Sequence, residues 1–431
     1  MPTLNKIRAA LPRSLRGTTV PRGPAGAQLA RLRTVLTVFF ALDGFVFAGW
    51  VVRIPDIKDQ TGASPSALGL ALLGVSAGGV ATMVLTGGLI RRYGAHAVTV
   101  GTAALLSAGV VLPPLTRSAL ALGLVLVVFG AAFGSISVAM NSAAVDLVAA
   151  LRRPVMPSFH AAFSLGGMLG AGLGALVAGH LSPTRHLLLL ALLGLAVTAF
   201  AGPALLALPA AKRPPAPAVA DGSHANAPEA GAGSGPAAAE RPAGRTRLLV
   251  AVLGLVALCT AYGEGAMADW SALHLKESLD AGPGLAAAGY SVFALAMTAG
   301  RLSGTALLLR LGQNRALVAG GATACVGMLL GSFSPYVWGA LAGFALTGLG
   351  LANIFPIAIG RAGELAGPNG VAAASTLGYG GMLLGPPAIG FLADWFSLRA
   401  ALSTVALLAG AAALIAYAMQ AVQNGGRPRG T

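Results

Sequence analysis

Apolar residues in this chain come in runs of about 20, the length at which a helix crosses the hydrocarbon core of a bilayer. Twelve such runs can be read. Six lie in the first half, at 34–53, 66–89, 96–115, 118–148, 157–181 and 186–208. Six follow at 248–268, 284–309, 315–333, 336–360, 370–394 and 399–421. Backbone in hydrocarbon must satisfy its own hydrogen bonds, and an uninterrupted run does so as a helix. The expected fold is therefore an all-α membrane protein with twelve transmembrane helices in two six-helix pseudo-symmetric bundles. Charge agrees: only 10% of residues are Asp, Glu, Lys or Arg, against roughly 25% in a soluble domain. The net charge of +15 does not imply nucleic acid, because the basic residues form short clusters between apolar runs and no nucleic-acid motif is present.

Between the two sets of runs, 209–247 is built of Pro, Ala, Gly and charged residues, with no large apolar side chain from Val219 to Leu248. Such a segment cannot bury enough surface to fold, and a flexible linker is expected there. Residues 1–33 and 422–431 read as tails. Lys and Arg set the orientation. If the N-terminus is inside, inside segments hold Arg91, Arg92, Arg152, Arg153, Arg310, Arg315, Arg361 and the tail and linker residues. Outside segments hold only Arg53, Lys58, Arg117, Arg185, Lys276 and Arg399. The positive-inside rule then places both termini and the linker in the cytoplasm, and the Ala, Gly and Arg content points to a bacterial cell membrane.

The halves repeat one another. Gly94, in Leu89-Ile-Arg-Arg92-Tyr-Gly94, aligns with Gly312, in Leu307-Leu-Leu-Arg310-Leu-Gly312. Asn141 aligns with Asn353, each late in the fourth span of its half, and Gly166-Gly-Met-Leu169 aligns with Gly380-Gly-Met-Leu383. Parallel repeats of six helices joined by a linker are a transporter architecture.

On these residues the chain resembles the major facilitator superfamily, over about 34–421. That family carries Gly-x-Leu-Ala-Asp-Arg-x-Gly-Arg-Lys between spans two and three. Here the stretch is Gly87-Gly-Leu89-Ile-Arg91-Arg92-Tyr-Gly94-Ala95-His96. The glycines, Leu89 and Arg92 match; Arg91 stands where the family has Asp. The resemblance implies a gate at Gly87, Arg91, Arg92 and Gly94, held differently or more weakly than usual. Phe159-His160-Ala-Ala-Phe163-Ser164 and Glu264-Gly-Ala-Met-Ala-Asp269-Trp270 resemble a little-characterised bacterial branch of the superfamily.

Ionisable side chains inside spans cost about 2.5–3.5 kcal/mol at a helix centre, so each is expected to face a cavity and have a role. Asp43 lies mid-way along the first span, with Phe47 and Trp50 at helical spacing. Apolar surroundings disfavour a charged carboxyl, which suits a group that gains and loses a proton. Glu264 is its counterpart in the seventh span. Both read as proton-coupling residues or, alternatively, as helix-packing carboxylates. Substrate contacts are expected from Asn141, His160, Asn353, Arg301, Trp50 and Tyr379. Arg301 is deep enough to need an acidic partner, with Glu264 and Asp43 both open. Arg53 reads as a side chain snorkelling at the outer end, and Trp270 as an interfacial anchor.

Cys259 and Cys325 have no metal-site spacing, and no Walker motif points to ATP. No cofactor and no catalysis are expected. The expected partners are a small-molecule substrate, protons and the lipid bilayer, with no nucleic acid and the chain as a monomer. The expected function is proton-coupled secondary transport. The alternative is a non-transporting sensor or scaffold on the same fold.

Overall fold

The computed structural model describes residues 24–151, 155–210 and 243–425. Most of the expected linker (211–242), the tail residues 1–23 and 426–431, and Arg152 and Arg153 lie outside the described residues. Among those described, secondary structure is helical throughout: α1 (Pro24–Val51), α2 (Ile54–Thr61), α3 (Pro65–Tyr93), α4 (Ala95–Gly109), α5 (Ala119–Leu151), α6 (Met156–Val177), α7 (Pro183–Leu206), α8 (Ala243–Leu279), α9 (Pro283–Phe333), α10 (Val337–Leu351), α11 (Ile354–Trp395) and α12 (Leu398–Gly425). These segments make twelve spans. Helix α2 is an extra short helix at one end, α9 holds the eighth and ninth spans, and α11 completes the tenth and forms the eleventh. Eleven helical stretches among the described residues are long and apolar enough to cross a membrane. The eleventh span, diluted by Gly and Pro in Gly378-Tyr-Gly-Gly381 and Gly385-Pro-Pro387, is the exception.

Helix ends differ from the expected bounds. Residues 24–33 and 243–247, expected in tail and linker, are helical. The basic residues there mark where hydrocarbon ends, and a helix runs on past that level. Local chemistry fixes other starts. The Ser64 hydroxyl accepts from the Ala67 N–H at 3.2 Å and Pro65 opens α3.

The repeat seen in the sequence is present in the backbone. Gly94 (φ 82°) turns the chain between α3 and α4, and Gly312 (φ 75°) turns it inside α9. Only glycine takes such angles without strain. Within each half the first and fifth spans pack together, α1 on α6 and α8 on α11. A Cβ at Gly166 would overlap the Ala41 carbonyl, and one at Gly381 the Leu258 carbonyl. The Gly-Gly pairs of the two halves therefore both allow close approach of helix backbones, through the first glycine in one half and the second in the other.

The halves meet through α3 with α11 and α6 with α9. A Cβ at Gly69 would strike the Pro386 carbonyl, and one at Gly390 would lie 2.5 Å from the Pro65 carbonyl. Ala48, Val52 and Ala171 of the first half form a dry cluster with Ala287 of the second. The Ser66 N–H donates to Asp394 at 3.0 Å. These contacts all belong to one end of the spans, the end that carries α2, and they close it.

Candidate functional site

The site begins at a break in the tenth span. In a continuous helix the Ala352 carbonyl would accept from the N–H four residues on. That residue is Pro356, which has none. Helix α10 stops at Leu351 and α11 starts at Ile354. The freed Ala352 carbonyl accepts from Arg301 Nε at 3.4 Å, and the Asn353 amide donates to the Gly300 carbonyl at 2.8 Å. Both bonds tie the break to α9. Arg301 also donates through Nη2 to Glu264 Oε1 at 2.9 Å. A deep guanidinium thus gains the carboxylate it requires, and the partner is Glu264 rather than Asp43.

This ion pair is not sealed. The Arg301 side chain is 40% exposed and that of Glu264 25%. Tyr290 lies within electrostatic reach of Glu264, Arg301 and Asp269. Opposite stands His160 of α6, exposed, with its ring edge on Phe40 at 5.8 Å. His160 precedes Ala171 by eleven residues, and Tyr290 precedes Arg301 by eleven. Each pair therefore shares a helix face. Ala171 belongs to the dry inter-half cluster, with Tyr290 packed on it. His160 and Arg301 consequently face one another across the halves, about 16 Å below that cluster, close enough to interact electrostatically. Tyr379 joins them. It lies seven and eleven residues before Pro386 and Gly390, on the face of α11 turned to α3, and is 51% exposed. A cleft closed at one end and open at this level holds His160, Glu264 and Arg301, with Tyr379 exposed on the inter-half face of α11.

Other expected site residues are placed elsewhere. Asp43 is 1% exposed, and both its carboxylate oxygens are buried without a hydrogen-bond partner. It lies inside the first half, next to Gly44, where a Cβ would overlap the Phe163 carbonyl. The two acidic residues therefore do not line one cavity. Trp50 is buried against Phe129, with ring centroids 6.2 Å apart, and Phe47 stacks on Phe133 at 4.8 Å. The α1 face that carries them is a packing face. Asn353 is a helix bridge. Asn141, half-buried, donates to the Ser137 carbonyl of its own helix at 2.8 Å. Three residues after Asn141, where the second half has Pro356, stands Ala144, so α5 runs on and leaves no carbonyl to tie.

Gly94 caps α3 through its N–H on Ile90 (2.8 Å). Arg91 and Arg92 are exposed beside it, Arg92 lying 5.2 Å from the Tyr93 ring. In the second half the matching turn is pinned: Arg361 donates to Asn314 at 2.5 Å and Gln313 to Glu364 at 3.4 Å.

Two readings need correction. Trp270 is fully buried and is no interfacial anchor. Arg53 does not snorkel; it is 1% exposed and bonded to His186, Asp56 and three backbone carbonyls. The last residue of α6 and the turn after it supply those carbonyls, and no sequence spacing links them to position 53. Pro356 is the residue that signals this break in the sequence. A proline four residues after a carbonyl orphans it, and the break follows.

The sequence profile of the Major Facilitator Superfamily matches residues 34–379. An uncharacterized MFS-type transporter of Yersinia pestis is 34% identical over 373 residues, covering 86% of this chain and 91% of the relative. Membrane protein MosC of Rhizobium meliloti is 30% identical over 390 residues, covering 89% of each. Among solved structures, the fold is similar to a bacterial homolog to the human lysosomal transporter Spinster, in an inward-facing and unoccupied conformation. That match has a TM-score of 0.71 at 13% identity, over 94% of this chain and 99% of the other. The nucleoside transporter NupG matches with a TM-score of 0.65 at 14% identity, over 91% of this chain and 99% of the other. With its profile, its relatives and its fold in agreement, the chain belongs to the Major Facilitator Superfamily of membrane transport proteins.

Proposed function

We propose that the chain is a secondary active transporter that moves a small hydrophilic solute by alternating access and couples that movement to protons. The observation that carries this reading is the cleft in which His160 of one half faces the Glu264–Arg301 pair of the other. Guanidinium, carboxylate, imidazole and the Tyr379 hydroxyl offer donors and acceptors on both walls, which suits a solute rich in hydroxyl or charged groups. A solute bound there touches both halves, so its binding can favour a different packing of one half on the other.

Two carboxyls have the properties of proton carriers. Glu264 is reached from the cleft and shares its charge with Arg301; Asp43 is buried with no partner to hold it as an anion. The distribution of Lys and Arg supports placing the open end and both termini at the cytoplasmic face of a bacterial plasma membrane. Arg91 and Arg92 would then border the cytoplasmic mouth as gate residues.

Purified protein reconstituted into liposomes tests the reading. Uptake of labelled sugars, polyols, amino acids and nucleosides is measured with and without an imposed pH gradient. Gradient-driven accumulation of one class, lost in Arg301→Gln, is the expected result. Equal flux with and without the gradient would remove proton coupling. No flux of any solute, with protein folded and inserted, would favour a sensor or scaffold.

A further inference from the structure

Arg53 is the largest charged side chain buried in the first half, and the solute cleft does not use it. It ends α1 and precedes the short helix α2, with Asp56 in the first turn. Its Nε donates to His186 Nδ1 at 2.9 Å. Since Arg only donates, Nδ1 accepts, and the His186 ring is neutral with its proton on Nε2. Nη1 donates to the Ala178 carbonyl (3.3 Å), and Nη2 to those of Val177 (3.4 Å) and Leu181 (3.0 Å), at the C-terminal end of α6. Nη1 also donates to Asp56 Oδ2 at 3.0 Å. One guanidinium thus joins α1, α2, the end of α6 and the start of α7.

The other oxygen of Asp56 faces the second half. Oδ1 lies 3.7 Å from Lys276 Nζ on α8, and the same ammonium bonds Asp59 at 2.6 Å. Lys58 bonds Glu277 at 2.6 Å. Charges on α2 therefore alternate in register with charges on α8, across the boundary between halves and at the closed end. Helix α2 is also held from behind. Ile54 and Ile57 are buried, and Gln60 donates to the carbonyls of Pro114 (2.7 Å) and Thr116 (2.6 Å).

We infer that Arg53 is a positioning residue for closure of this end: acting through Asp56, it fixes the acidic face of α2 at the register in which Lys276 can latch the two halves. The ion pairs are partly exposed, so each alone is weak, and the latch depends on several being aligned together. A helix this short does not hold that alignment alone. This inference rests on the alternation of access proposed above. Capping of α6 by Arg53 would by itself affect stability and not which end is open, and this separates the two roles.

The test reads the closed end directly. Ala287 is buried in the dry cluster between halves, just inside the latch. In protein with Cys259 and Cys325 replaced by Ser, Ala287→Cys is exposed in proteoliposomes to a membrane-impermeant maleimide from the closed-end side. Labelling is expected to be slow with the latch intact. It should be about fivefold faster in Lys276→Gln and in Arg53→Gln, as loss of aligned surface pairs implies. Arg53→Lys should not restore closure, because one ammonium cannot serve His186, Asp56 and three carbonyls together. If Arg53→Gln does not insert, Arg53→Lys keeps the charge and loses the set of bonds, and it must give the same acceleration. Fast labelling in Lys276→Gln with slow labelling in Arg53→Gln and Arg53→Lys would overturn the role of Arg53 and leave alternating access standing. Slow labelling in every variant, with transport at wild-type rate, would overturn the latch altogether.

Discussion

The two halves share a plan and differ in chemistry. Each places an acidic residue mid-way along its first span and an asparagine late in its fourth. In the first half the carboxylate, Asp43, is buried with no hydrogen-bond partner among the described residues, and Asn141 bonds to Ser137 of its own helix. In the second half the carboxylate, Glu264, meets Arg301, and Asn353 crosses to α9. One residue explains much of the divergence. Pro356 breaks the tenth span and hands a backbone carbonyl to Arg301, whereas Ala144 lets α5 continue. A repeat therefore conserves helix packing more faithfully than it conserves a site. Packing needs only small residues at the right faces, while a site depends on single donors and acceptors.

This contrast can be broken experimentally. The largest effect is expected from Arg301→Gln, which leaves Glu264 unpaired on the cleft wall. Initial solute uptake in proteoliposomes should fall by roughly thirtyfold, as expected for loss of one member of a bonded charge pair. Uptake within twofold of wild type would mean that the pair is not part of the site. The next effect separates the two acids. Glu264→Gln should lower the melting temperature by roughly 2 °C, because Arg301 loses its partner. Asp43→Asn should leave the melting temperature unchanged while abolishing the response to a pH gradient, since no bond is lost and an amide cannot gain or lose the proton. A clear drop for Asp43→Asn would make it a packing residue after all.

Smaller changes sharpen the helix-break argument. Pro356→Ala gives Ala352 a local N–H partner and should free Arg301 Nε; transport is expected to fall about threefold while thermal stability rises, because the tenth span gains a backbone hydrogen bond. Equal or lower stability would show that the break has another cause. The smallest difference lies in the amides. Asn353→Ala should cost about 0.6 kcal/mol, the average for a hydrogen bond between membrane helices, and Asn141→Ala less. Chemical unfolding in detergent measures both, and equal costs would remove the asymmetry.

Much of the fold was legible because hydrocarbon leaves a backbone few choices. Long apolar runs gave the spans, and the glycine pairs gave the close helix contacts. Of the site, Arg301 and Glu264 were legible as costly charges, and His160 and Tyr379 as polar groups on apolar helices. Their grouping was not legible, nor was the removal of Trp50 and Asp43 into the interior. Helical spacing says which residues share a face of α1, but not whether that face meets water, lipid or α6. Arg53 shows the same limit from the other side, since most of its acceptors lie between Val177 and His186, far away in the chain.

By itself, then, the sequence determined that this is a helical membrane protein of two repeated halves, because the desolvation of backbone groups and the length of an apolar run are local properties. Only the tertiary structure decided which carboxylate pairs with Arg301, which end of the cleft is closed and what holds it closed. Those outcomes depend on single hydrogen bonds of about 3 Å between residues distant in the chain, and no local pattern encodes distances of that kind.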